Sequence, residues 1–372
     1  MSKIINVLNI ISDRNIGGAG KCILNFLKYY DRNIFNVSVI VPKGSLLSPE
    51  IRKLDTNVIE ICGIADKSFD FKSIMTLKNI IKNENPDIIH THGTFSGRIA
   101  AKLCNKKIVY TRHSVFPVSK KISTQPMKTM NKFVNEFFAD DIIAVAEAAK
   151  DNLIESGISE NKIKVILNGV EALEKCNNEE ILSTRLKYKI GETDFVIGIM
   201  ARLEEVKGHK YLIDATKILK SRGKKIKVLI IGTGGIENKI KEYVNKNNLN
   251  DTIIFTGFIK DIRDILSIID LQVNASFGTE ATSLALLEGM SMGIPAVVSN
   301  YGGNPGVITQ GENGYIFNSK DSKDMADYIE KIIDNLEIFE YMQNKSKEIF
   351  NSKFTAKIYT NNIQNVYKNI IK

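Results

Sequence analysis

The sequence GTEATSLALLEGMSMGIPAVVS, at residues 278–299, combines a loop, a helix and a strand in that order. Small and polar residues come first, and either Thr282 or Ser283 suits a helix N-cap because its hydroxyl can accept a hydrogen bond from a first-turn amide. A helix over residues 283–292 then leads into the apolar run 294–298, which is typical of a buried strand. Loop, helix and strand in this order form one step of a parallel α/β sheet.

The same alternation of strand and helix patterns extends over the whole chain. In the first half, strands are expected at residues 4–11, 37–41, 57–61, 87–90, 107–111, 142–145 and 164–167, and helices at 20–30, 72–83, 96–103, 126–138 and 147–156. In the second half, strands are expected at residues 195–200, 226–231, 252–255, 271–274 and 296–299, and helices at 208–221, 236–247, 262–268, 283–292, 322–333 and from about 355 onwards. Such alternation predicts parallel sheets.

Length and local composition indicate two domains of this kind. A chain of 372 residues is longer than one hydrophobic core usually supports. Residues 171–194 are charged and polar, and we interpret them as a linker with a lead-in helix. The prediction is an α/β protein with two Rossmann-like, doubly wound parallel-sheet domains that face each other across a cleft. The predicted boundaries are residues 1–170, the linker 171–194, residues 195–350 and a last helix at 351–372.

Composition narrows the class of protein further. Hydrophobic residues make up 43% and charged residues 25%, as in ordinary globular proteins, and no apolar run is long enough for a transmembrane helix. The N-terminus resembles a first strand more than a signal peptide. Four scattered cysteines without a C-x-x-C pair predict reduced, buried thiols in the cytoplasm. The net charge of +9 favours anionic ligands, but no nucleic-acid-binding signature is present, so nucleic acid is not an expected partner.

Two glutamates and two cations are expected near the start of the 283–292 helix. Glu280 lies in front of the first turn of this helix, and Glu288 lies further along the helix itself. Arg202 and Lys207 follow the first strand of the second half. Helix amides and cations can stabilise a diphosphate, and carboxylates accept hydrogen bonds from paired hydroxyls. A nucleotide-diphosphate sugar fits this layout. Taken alone, the two cations are explained by surface charge, and the two glutamates by one solvent-facing and one helix-capping side chain. No D-x-D pair is present, so no metal site is expected.

Glycines and histidines mark strand ends in the first half. Gly17 and Gly18 follow the first strand and permit a tight turn before a helix, although the Walker A pattern is not met. His90 and His92 end one predicted strand and His113 ends the next, so all three are expected at the cleft. We rank His113 first and His92 second for contact with a sugar or acceptor, whereas His90 is expected to be buried.

The fourth histidine, His209, directly follows Gly208 at the start of a predicted helix. It is expected to face the helix surface.

An ordered set of segments over residues 195–318 resembles the donor domain of retaining glycosyltransferases of the GT-B fold, the family-4 group. The segments are ARLEEVKGHKYLIDA, LIIGTGG, FTGF, SFGTEATSLALLEGMSMGIPAVVSNYGG and ENGYIF. The resemblance implies transfer of a hexosyl group from a nucleotide-diphosphate sugar, UDP-sugar rather than GDP-sugar, to a hydroxyl of a glycan or lipid-linked acceptor. It implies a retained anomeric configuration, no metal or other cofactor, and a last helix that crosses back to the first domain.

The resemblance also assigns roles to individual residues. The residues that it implies in catalysis are Arg202, Lys207, Glu280 and His113. Those that it implies around the donor are Gly17, Gly18, Asn168, Ala281, Thr282, Ser283, Leu284 and Glu288. His92 and His90 are the candidates on the acceptor side. Gly306 stands where the family often has glutamate, and Ala281 stands where glycine is common, so the donor sugar is left open.

Other functions remain as alternatives. A nucleotide-sugar epimerase of the same fold would isomerise its donor without an acceptor. A nicotinamide oxidoreductase is suggested by IGTGG, but that stretch lacks the complete G-x-G-x-x-G pattern. A non-catalytic sugar-nucleotide sensor would bind a donor without turnover.

The stretch SVFPVSKKISTQPMKTMNKFVNEFF, residues 114–138, interleaves lysines and phenylalanines. It has two interpretations. One is weak contact with an anionic membrane, which would place the enzyme at the inner face of the cell membrane. The other is an ordinary helix with its aromatic residues in the core. The biological role that the resemblance implies is synthesis of a bacterial surface polysaccharide or glycolipid.

Overall fold

A computed structural model describes residues 3–63 and 69–372. The N-terminal residues considered for a signal peptide include Met1 and Ser2, which lie outside the described residues. The strands are β1 (Ile5–Ile11), β2 (Phe35–Pro42), β3 (Asn57–Ile61), β4 (Ile88–His92), β5 (Lys107–Arg112), β6 (Asp141–Ala144), β7 (Ile163–Val165), β8 (Phe195–Met200), β9 (Ile226–Ile231), β10 (Ile253–Gly257), β11 (Leu271–Asn274), β12 (Ala296–Ser299) and β13 (Gly314–Phe317).

Helices connect these strands. They are α1 (Gly18–Tyr29), α2 (Leu47–Arg52), α3 (Phe71–Glu84), α4 (Phe95–Leu103), α5 (Lys120–Ser123), α6 (Met127–Phe137), α7 (Glu147–Glu155), α8 (Asn178–Lys187), α9 (His209–Ser221), α10 (Glu237–Lys246), α11 (Arg263–Ser267), α12 (Leu284–Ser291), α13 (Asn304–Val307), α14 (Ser322–Ile333), α15 (Leu336–Lys353) and α16 (Ala356–Ile371).

The first compact unit spans Met1–Val170 together with Ala356–Lys372. Within the described residues its sheet has seven strands in the order β3-β2-β1-β4-β5-β6-β7, and all neighbouring strands are parallel. The chain moves outward from β1 and then returns to the other side of β1 as β4. The loops after β1 and β4 therefore diverge and leave a crevice at the carboxyl edge of the sheet.

The C-terminal helix α16 belongs to this first unit. It packs against α1, and its Tyr359 and Tyr367 are among the largest fully buried side chains of the molecule. The side-chain oxygen of Gln364 accepts a hydrogen bond from the Asp31 amide at 2.8 Å. The last residues of the chain thus complete the core of its first residues.

The second unit spans Glu171–Thr355. Its parallel sheet has the order β10-β9-β8-β11-β12-β13, with the switch point between β8 and β11. Apolar residues are buried on both faces. Leu212 of α9 and Met325 of α14 pack in one cluster, while Ile265 of α11 and Met292 pack in the other. Each sheet is therefore the doubly wound parallel type that the sequence predicts.

Several elements differ from the prediction. The predicted linker contains α8 and lies within the second unit. The long helix α15 was not predicted, because its buried residues are only Met342, Ser346 and Phe350 and its apolar stripe is correspondingly sparse. The short elements β13, α2, α5 and α13, of four to six residues each, were also missed.

The described part of the chain contains no helix that combines the length and the apolar character needed to cross a membrane. The four cysteines are free thiols. Cys22 and Cys176 are buried as expected, but Cys62 is exposed and Cys104 is half-buried, so the expectation of burial is wrong for these two. Cys62 directly follows β3 and Cys104 directly follows α4, so the exposure of both depends on turns that the apolar pattern before them does not determine.

Candidate active site

Two loops meet at the switch point of the second sheet. One follows β8 and contains Arg202 and Lys207, and the other follows β11 and contains Glu280. The loops are joined directly, because the Phe277 amide donates a hydrogen bond to the Val206 carbonyl at 2.9 Å. The sequence predicted that these residues share one edge of the sheet, and the fold places them there.

Lys207 and Glu280 form a largely buried ion pair. Lys207 Nζ donates to Glu280 Oε2 at 2.8 Å, and their side chains are only 13% and 10% exposed. Ser276 Oγ donates to the same carboxylate oxygen at 3.0 Å. An ammonium group has three protons, so Lys207 keeps donors for an anionic ligand while it is paired with Glu280.

The residue after Lys207 sets the geometry of its loop. Gly208 has a φ of 72°, in the left-handed region, and a side chain there would collide with the Ala275 carbonyl oxygen. Close packing of the two loops therefore requires glycine at this position. It brings Lys207 within reach of Glu280, which is 73 residues further along the chain.

Arg202 lies at the rim of the site. Its side chain is 73% exposed, and its Nη1 pairs with Glu204 Oε1 at 2.8 Å. An exposed ion pair of this kind contributes little energy, so the guanidinium can exchange Glu204 for an anionic ligand at low cost. In this structure Arg202 is paired with Glu204 and not with Glu280.

The helix α12 begins beside the ion pair. Its N-cap is Ser283, one of the two predicted candidates, and Ser283 Oγ accepts a hydrogen bond from the Leu286 amide at 3.4 Å. Ala281 and Thr282 precede the cap, and Leu284 is the first helical residue. The first amides of a helix have no helical acceptor and therefore suit a phosphate group.

Glu288 lies inside α12 and is buried, whereas Glu280 lies in the loop before the helix. This matches the predicted arrangement of one carboxylate before the helix and one within it. Lys207, Asn274 and Ser283 help to line one small cavity at this edge of the sheet. The assignment of Glu280 and Glu288 to opposite ends of a donor stays a prediction.

A third loop, which follows β12, supports Glu280 through residues that the sequence did not single out. Ser299 Oγ donates to the Ser276 carbonyl at 2.5 Å, and Asn304 Nδ2 donates to Ser299 Oγ at 3.0 Å. The Gly303 amide donates to the Glu280 carbonyl at 3.2 Å. The signal was present in the sequence, since small polar residues follow the ends of both β11 and β12.

The glycines of the first unit lie at the start of α1. Gly17 is the N-cap and Gly18 is the first helical residue, so the helix begins two residues before the predicted start. Asn168 is buried, and its Oδ1 accepts a hydrogen bond from Cys22 Sγ of α1 at 3.2 Å. This contact holds the segment after β7 against α1. The expected roles of all three residues around a donor remain predictions.

The three histidines at strand ends form one cluster. His92 Nδ1 and His113 Nε2 are 2.8 Å apart, within hydrogen-bond distance. The ring centroids of His90 and His92 are 4.2 Å apart, and those of His92 and His113 are 5.1 Å apart. The prediction that adjacent strand ends bring these residues together is therefore correct in its geometry.

The cluster has polar partners on both sides. His90 is buried, as expected, and its ring nitrogens contact Thr111 Oγ1 at 2.7 Å and Tyr367 Oη at 2.6 Å. His92 Nε2 contacts Asn9 Oδ1 at 3.0 Å. Neither Asn9 nor Tyr367 was predicted, although an asparagine near the end of the apolar strand β1 is a signal that the sequence offered.

Burial keeps these imidazoles neutral. It lowers the pKa of His90 to about 3 and that of His113 to about 4, and it lowers the pKa of His92 well below 6.5. Neighbouring imidazoles add to the effect at His90 and His92, because a second positive charge in the cluster is unfavourable. At neutral pH each ring therefore has one donor and one acceptor nitrogen.

The expectation for His209 is wrong. Its side chain is 1% exposed, and neither ring nitrogen has a hydrogen-bond partner within the described residues. Burial lowers its pKa to about 4. The first turn of α9 is drawn inward because Gly208 packs against the Ala275 backbone, and this carries His209 into the interior.

The segment that interleaves lysines and phenylalanines forms α6, and no residue of α6 is buried. Phe133 is 68% exposed, and Met127, Met130 and Phe137 are also exposed. These four residues recur every three or four positions and so form one stripe along the helix. The interpretation that the aromatic residues belong to the core is wrong for Phe133 and Phe137.

Residues 3–63 and 69–372 contain no group of three or more His, Cys, Asp or Glu side chains arranged to hold a metal ion. Independence from metal stays a prediction. The predicted site residues form two groups, each inside one unit. Gly17, Gly18, Asn168 and the three histidines lie in the first unit, and the cations, the glutamates and the start of α12 lie in the second.

Comparison with known proteins agrees with this division. The family described as Glycosyltransferase Family 4 matches residues 16–172, and the family described as Glycosyl transferases group 1 matches residues 181–349. The structure of Anabaena HepE in complex with UDP is similar to this chain, with a TM-score of 0.85 at 21% identity. The match covers 98% of this chain and 100% of the HepE chain. HepE has also been solved in complex with UDP-glucose.

Two relatives are similar in sequence. The capsular polysaccharide biosynthesis glycosyltransferase CapM of Staphylococcus aureus is 27% identical over 320 residues, 82% of each chain. The UDP-Gal:alpha-D-GlcNAc-diphosphoundecaprenol alpha-1,3-galactosyltransferase of Escherichia coli is 30% identical over 282 residues, 72% of this chain and 71% of that protein. With this similarity, and with the two family matches falling on the two units in turn, the chain belongs to the family-4, group 1 glycosyltransferases of the GT-B fold.

Proposed function

We propose that this glycosyltransferase moves a hexosyl group from a UDP-sugar to a hydroxyl of a glycan or lipid-linked acceptor, with retention of the anomeric configuration and without a metal. The observation that carries the proposal is the buried Lys207–Glu280 pair beside the start of α12. A cation with spare protons, a carboxylate and the first amides of a helix converge there. A sugar joined to a diphosphate needs these three kinds of group.

The leaving diphosphate is the main target of the cations. As the bond between the anomeric carbon and the phosphate oxygen breaks, negative charge develops on that oxygen, and preorganised donors stabilise it. Lys207, Arg202 and the amides of residues 281–284 are the donors that we assign to this role. Glu280 then accepts from hexose hydroxyls, and Glu288 accepts from the ribose hydroxyls.

Retention follows from a displacement on one face of the sugar. Glu280 is held by Lys207 and Ser276 through one carboxylate oxygen, which suits a hydrogen-bonding role more than nucleophilic attack. We therefore propose that the acceptor oxygen bonds to the anomeric carbon on the face that the phosphate leaves. The acceptor proton passes to the departing phosphate, so no covalent enzyme intermediate forms.

The relatives support a UDP-sugar and a surface-glycan role. HepE has been solved with UDP and with UDP-glucose, and the Escherichia coli relative is named for UDP-galactose and a diphosphoundecaprenol-linked acceptor. CapM is named for capsular polysaccharide. We extend these properties to this chain as a proposal for bacterial surface polysaccharide or glycolipid synthesis.

A lipid-linked acceptor would bring the first unit close to a membrane. The exposed stripe Met127, Met130, Phe133 and Phe137 of α6 is accompanied by Lys128 and Lys132 on the same helix. An amphipathic helix with exposed aromatic residues and lysines can lie in the interface of an anionic bilayer. We propose weak peripheral binding at the inner face of the cell membrane through α6.

The first experiment is a thermal-shift panel of UDP, GDP, ADP and CMP. A ligand at about 100 times its Kd stabilises the protein by roughly 2.7 kcal/mol. UDP is expected to stabilise the wild type and not Arg202→Ala or Glu288→Ala. The control Lys220→Ala removes a cation from the surface pair with Asp251 and is expected to respond as the wild type does. Equal UDP shifts in all four proteins would exclude this donor site.

Transfer is tested with labelled UDP-glucose and UDP-galactose and a polyprenyl-diphosphate-linked hexosamine. Product formation with a retained anomeric configuration, read by NMR, supports the proposal. Isomerised donor in the absence of acceptor would instead indicate an epimerase. UDP binding without turnover of any donor would indicate a sensor.

A further inference from the structure

A line of polar contacts connects the buried strand β1 with His113. Asn9 Oδ1 lies 3.0 Å from His92 Nε2, and His92 Nδ1 lies 2.8 Å from His113 Nε2. Both distances are within the range of a good hydrogen bond. Asn9 and His92 are buried, whereas His113 is partly exposed. The line therefore runs from the interior of the first unit to its carboxyl edge.

The chemistry of the groups determines which atom donates and which accepts at each contact in this line. An amide oxygen only accepts, so His92 Nε2 must carry a hydrogen, and Nδ1 of a neutral His92 must accept. His113 Nε2 then carries the hydrogen that it donates to His92. The remaining nitrogen of His113, Nδ1, has a lone pair, and within the described residues no hydrogen-bond partner occupies it.

We propose that Asn9 and His92 are positioning residues that fix His113 as its Nε2–H tautomer, so that its Nδ1 accepts a hydrogen bond from a sugar hydroxyl. This inference rests on the proposed function, since it assumes that His113 meets the donor or acceptor sugar. It names the chemistry that His113 recognises. A lone pair attracts a hydroxyl and repels a phosphate, so His113 belongs with the sugar and not with the diphosphate.

The surroundings of Asn9 support this role. Its amide nitrogen is buried without a hydrogen-bond partner among the described residues. A buried amide that leaves one group unsatisfied is less favourable than an apolar residue of the same shape. Stability alone would thus favour leucine or valine at this position, since the neighbouring residues Leu8 and Ile10 are buried and apolar. The contact with His92 is the described side-chain interaction that this asparagine makes.

The tautomer can be measured without any substrate. The full chain contains four histidines, so a long-range proton–nitrogen NMR spectrum of the histidine-labelled protein is simple enough to assign with single His→Gln variants. We expect His92 and His113 each to show a protonated Nε2 and an unprotonated Nδ1 at neutral pH. A protonated Nδ1 on His113 would overturn the proposal, because it means that Asn9 presents its NH₂ group and the line runs the other way.

The positioning role is tested by Asn9→Leu in the transfer assay with UDP-galactose and a polyprenyl-diphosphate-linked hexosamine. Loss of the terminal hydrogen bond is expected to mix the tautomers of His113 and to lower kcat/KM about tenfold, while UDP still stabilises the protein. The control Asn6→Leu replaces an asparagine on the same strand that pairs with Asn36 at the surface. It is expected to keep the wild-type tautomers and activity.

Asn9→Asp keeps an acceptor next to His92 and is expected to preserve the His113 tautomer. If Asn9→Leu fails to fold, Asn9→Asp still tests whether an acceptor at this position fixes that tautomer. Wild-type kcat/KM in Asn9→Leu, with a mixed tautomer, would overturn the positioning role. If the wild type transfers no sugar at all, the proposed function fails. The NMR measurement needs no substrate, so it still shows separately which nitrogens of His92 and His113 carry a hydrogen.

Discussion

At the residue scale, the Lys207–Glu280 pair is better explained by ligand binding than by stability. Burying two charges costs several kcal/mol, which their attraction only roughly offsets, so apolar residues would serve the fold as well. Ser276 and the loop after β12 nevertheless hold Glu280 in place. A structure that maintains this pair in the crevice keeps it ready for a polar ligand.

Breaking the pair from one side is expected to destabilise the second unit. Lys207→Met leaves the Glu280 carboxylate buried with Ser276 as its described donor, which should lower the unfolding free energy by about 3 kcal/mol. The double variant Lys207→Met/Glu280→Gln removes both charges and is expected to recover most of that loss. UDP should stabilise neither variant. Urea unfolding with and without UDP measures both effects.

The control for this pair is Lys220→Met, which disrupts an exposed pair with Asp251 and is expected to cost less than about 1 kcal/mol. If Lys207→Met and Lys220→Met were equally stable, the Lys207–Glu280 pair would be no more buried in solution than a surface pair. A double variant no more stable than Lys207→Met would likewise contradict the argument from unpaired charge.

Sequence alone located the polar residues at strand ends but not their partners. Lys207 and Glu280 were predictable because the ends of parallel strands meet at one edge. The contacts of Asn9 with His92 and of Ser276 with Glu280 were not, because a partner depends on the register between strands and on loop geometry. His209 was misplaced for a similar reason, since the direction of a side chain in the first turn follows from how Gly208 packs against Ala275.

At the element scale, α6 carries an apolar stripe that the first unit does not cover. Phe133→Asp is expected to weaken binding to vesicles of phosphatidylglycerol and phosphatidylcholine about thirtyfold, since a phenylalanine buried in the interface contributes roughly 2 kcal/mol. Vesicles of phosphatidylcholine alone should bind the wild type weakly, because the lysines then have no anionic partner. Vesicle co-sedimentation measures these differences.

Phe71→Asp is the matched control, because Phe71 is also 68% exposed but lies on α3. It is expected to bind the anionic vesicles as the wild type does. Equal loss in Phe133→Asp and Phe71→Asp would mean that binding follows net charge and not the stripe on α6.

The helix α9 contains a buried histidine that should make the second unit sensitive to acid. The pKa of His209 is about 4 in the folded chain against 6.5 for the unperturbed group, so the unfolded chain binds more protons between these values. Stability is then lost as the pH falls from 6.5 to 4. His209→Leu removes this contribution. Relative to the wild type, it should gain up to about 3 kcal/mol between pH 7 and pH 4.

Urea unfolding of both proteins at several pH values measures that gain. The three histidines of the first unit are present in both proteins and their effects cancel in the difference. A difference that does not change with pH would show that His209 is protonated equally in the folded and unfolded chains.

Elements with many regularly spaced apolar residues were predictable, and elements with few such residues were not. The strand β8 and the helix α14 were predicted with their observed bounds, because their apolar residues are dense and regular. The helix α15 buries few residues along its length, and the four residues of β13 include a glycine, which weakens a strand pattern. Their positions follow from tertiary packing, which a local pattern does not contain.

At the scale of the whole molecule, two units with separate cores follow from chain length and from the restart of the strand pattern at β8. The sequence could not show how firmly the last helix is tied to the first residues. In the structure, α16 fills the core next to α1, and its Tyr367 contacts His90 of the histidine cluster. The C-terminus is therefore expected to control the stability of the first unit.

Replacing Ile363 by aspartate tests this dependence in the full chain. Ile363 is buried on the inner face of α16, so a carboxylate there should displace the helix and cost more than about 3 kcal/mol. Asn362→Asp adds the same charge one residue earlier on the exposed face and is the control. Hydrogen exchange should show loss of protection in β1 and β4 for Ile363→Asp alone, while β8, β11 and the UDP-induced stabilisation persist. Equal loss of protection in both sheets would mean that the two units unfold together, and unchanged exchange in β1 would mean that α16 is not part of the first core.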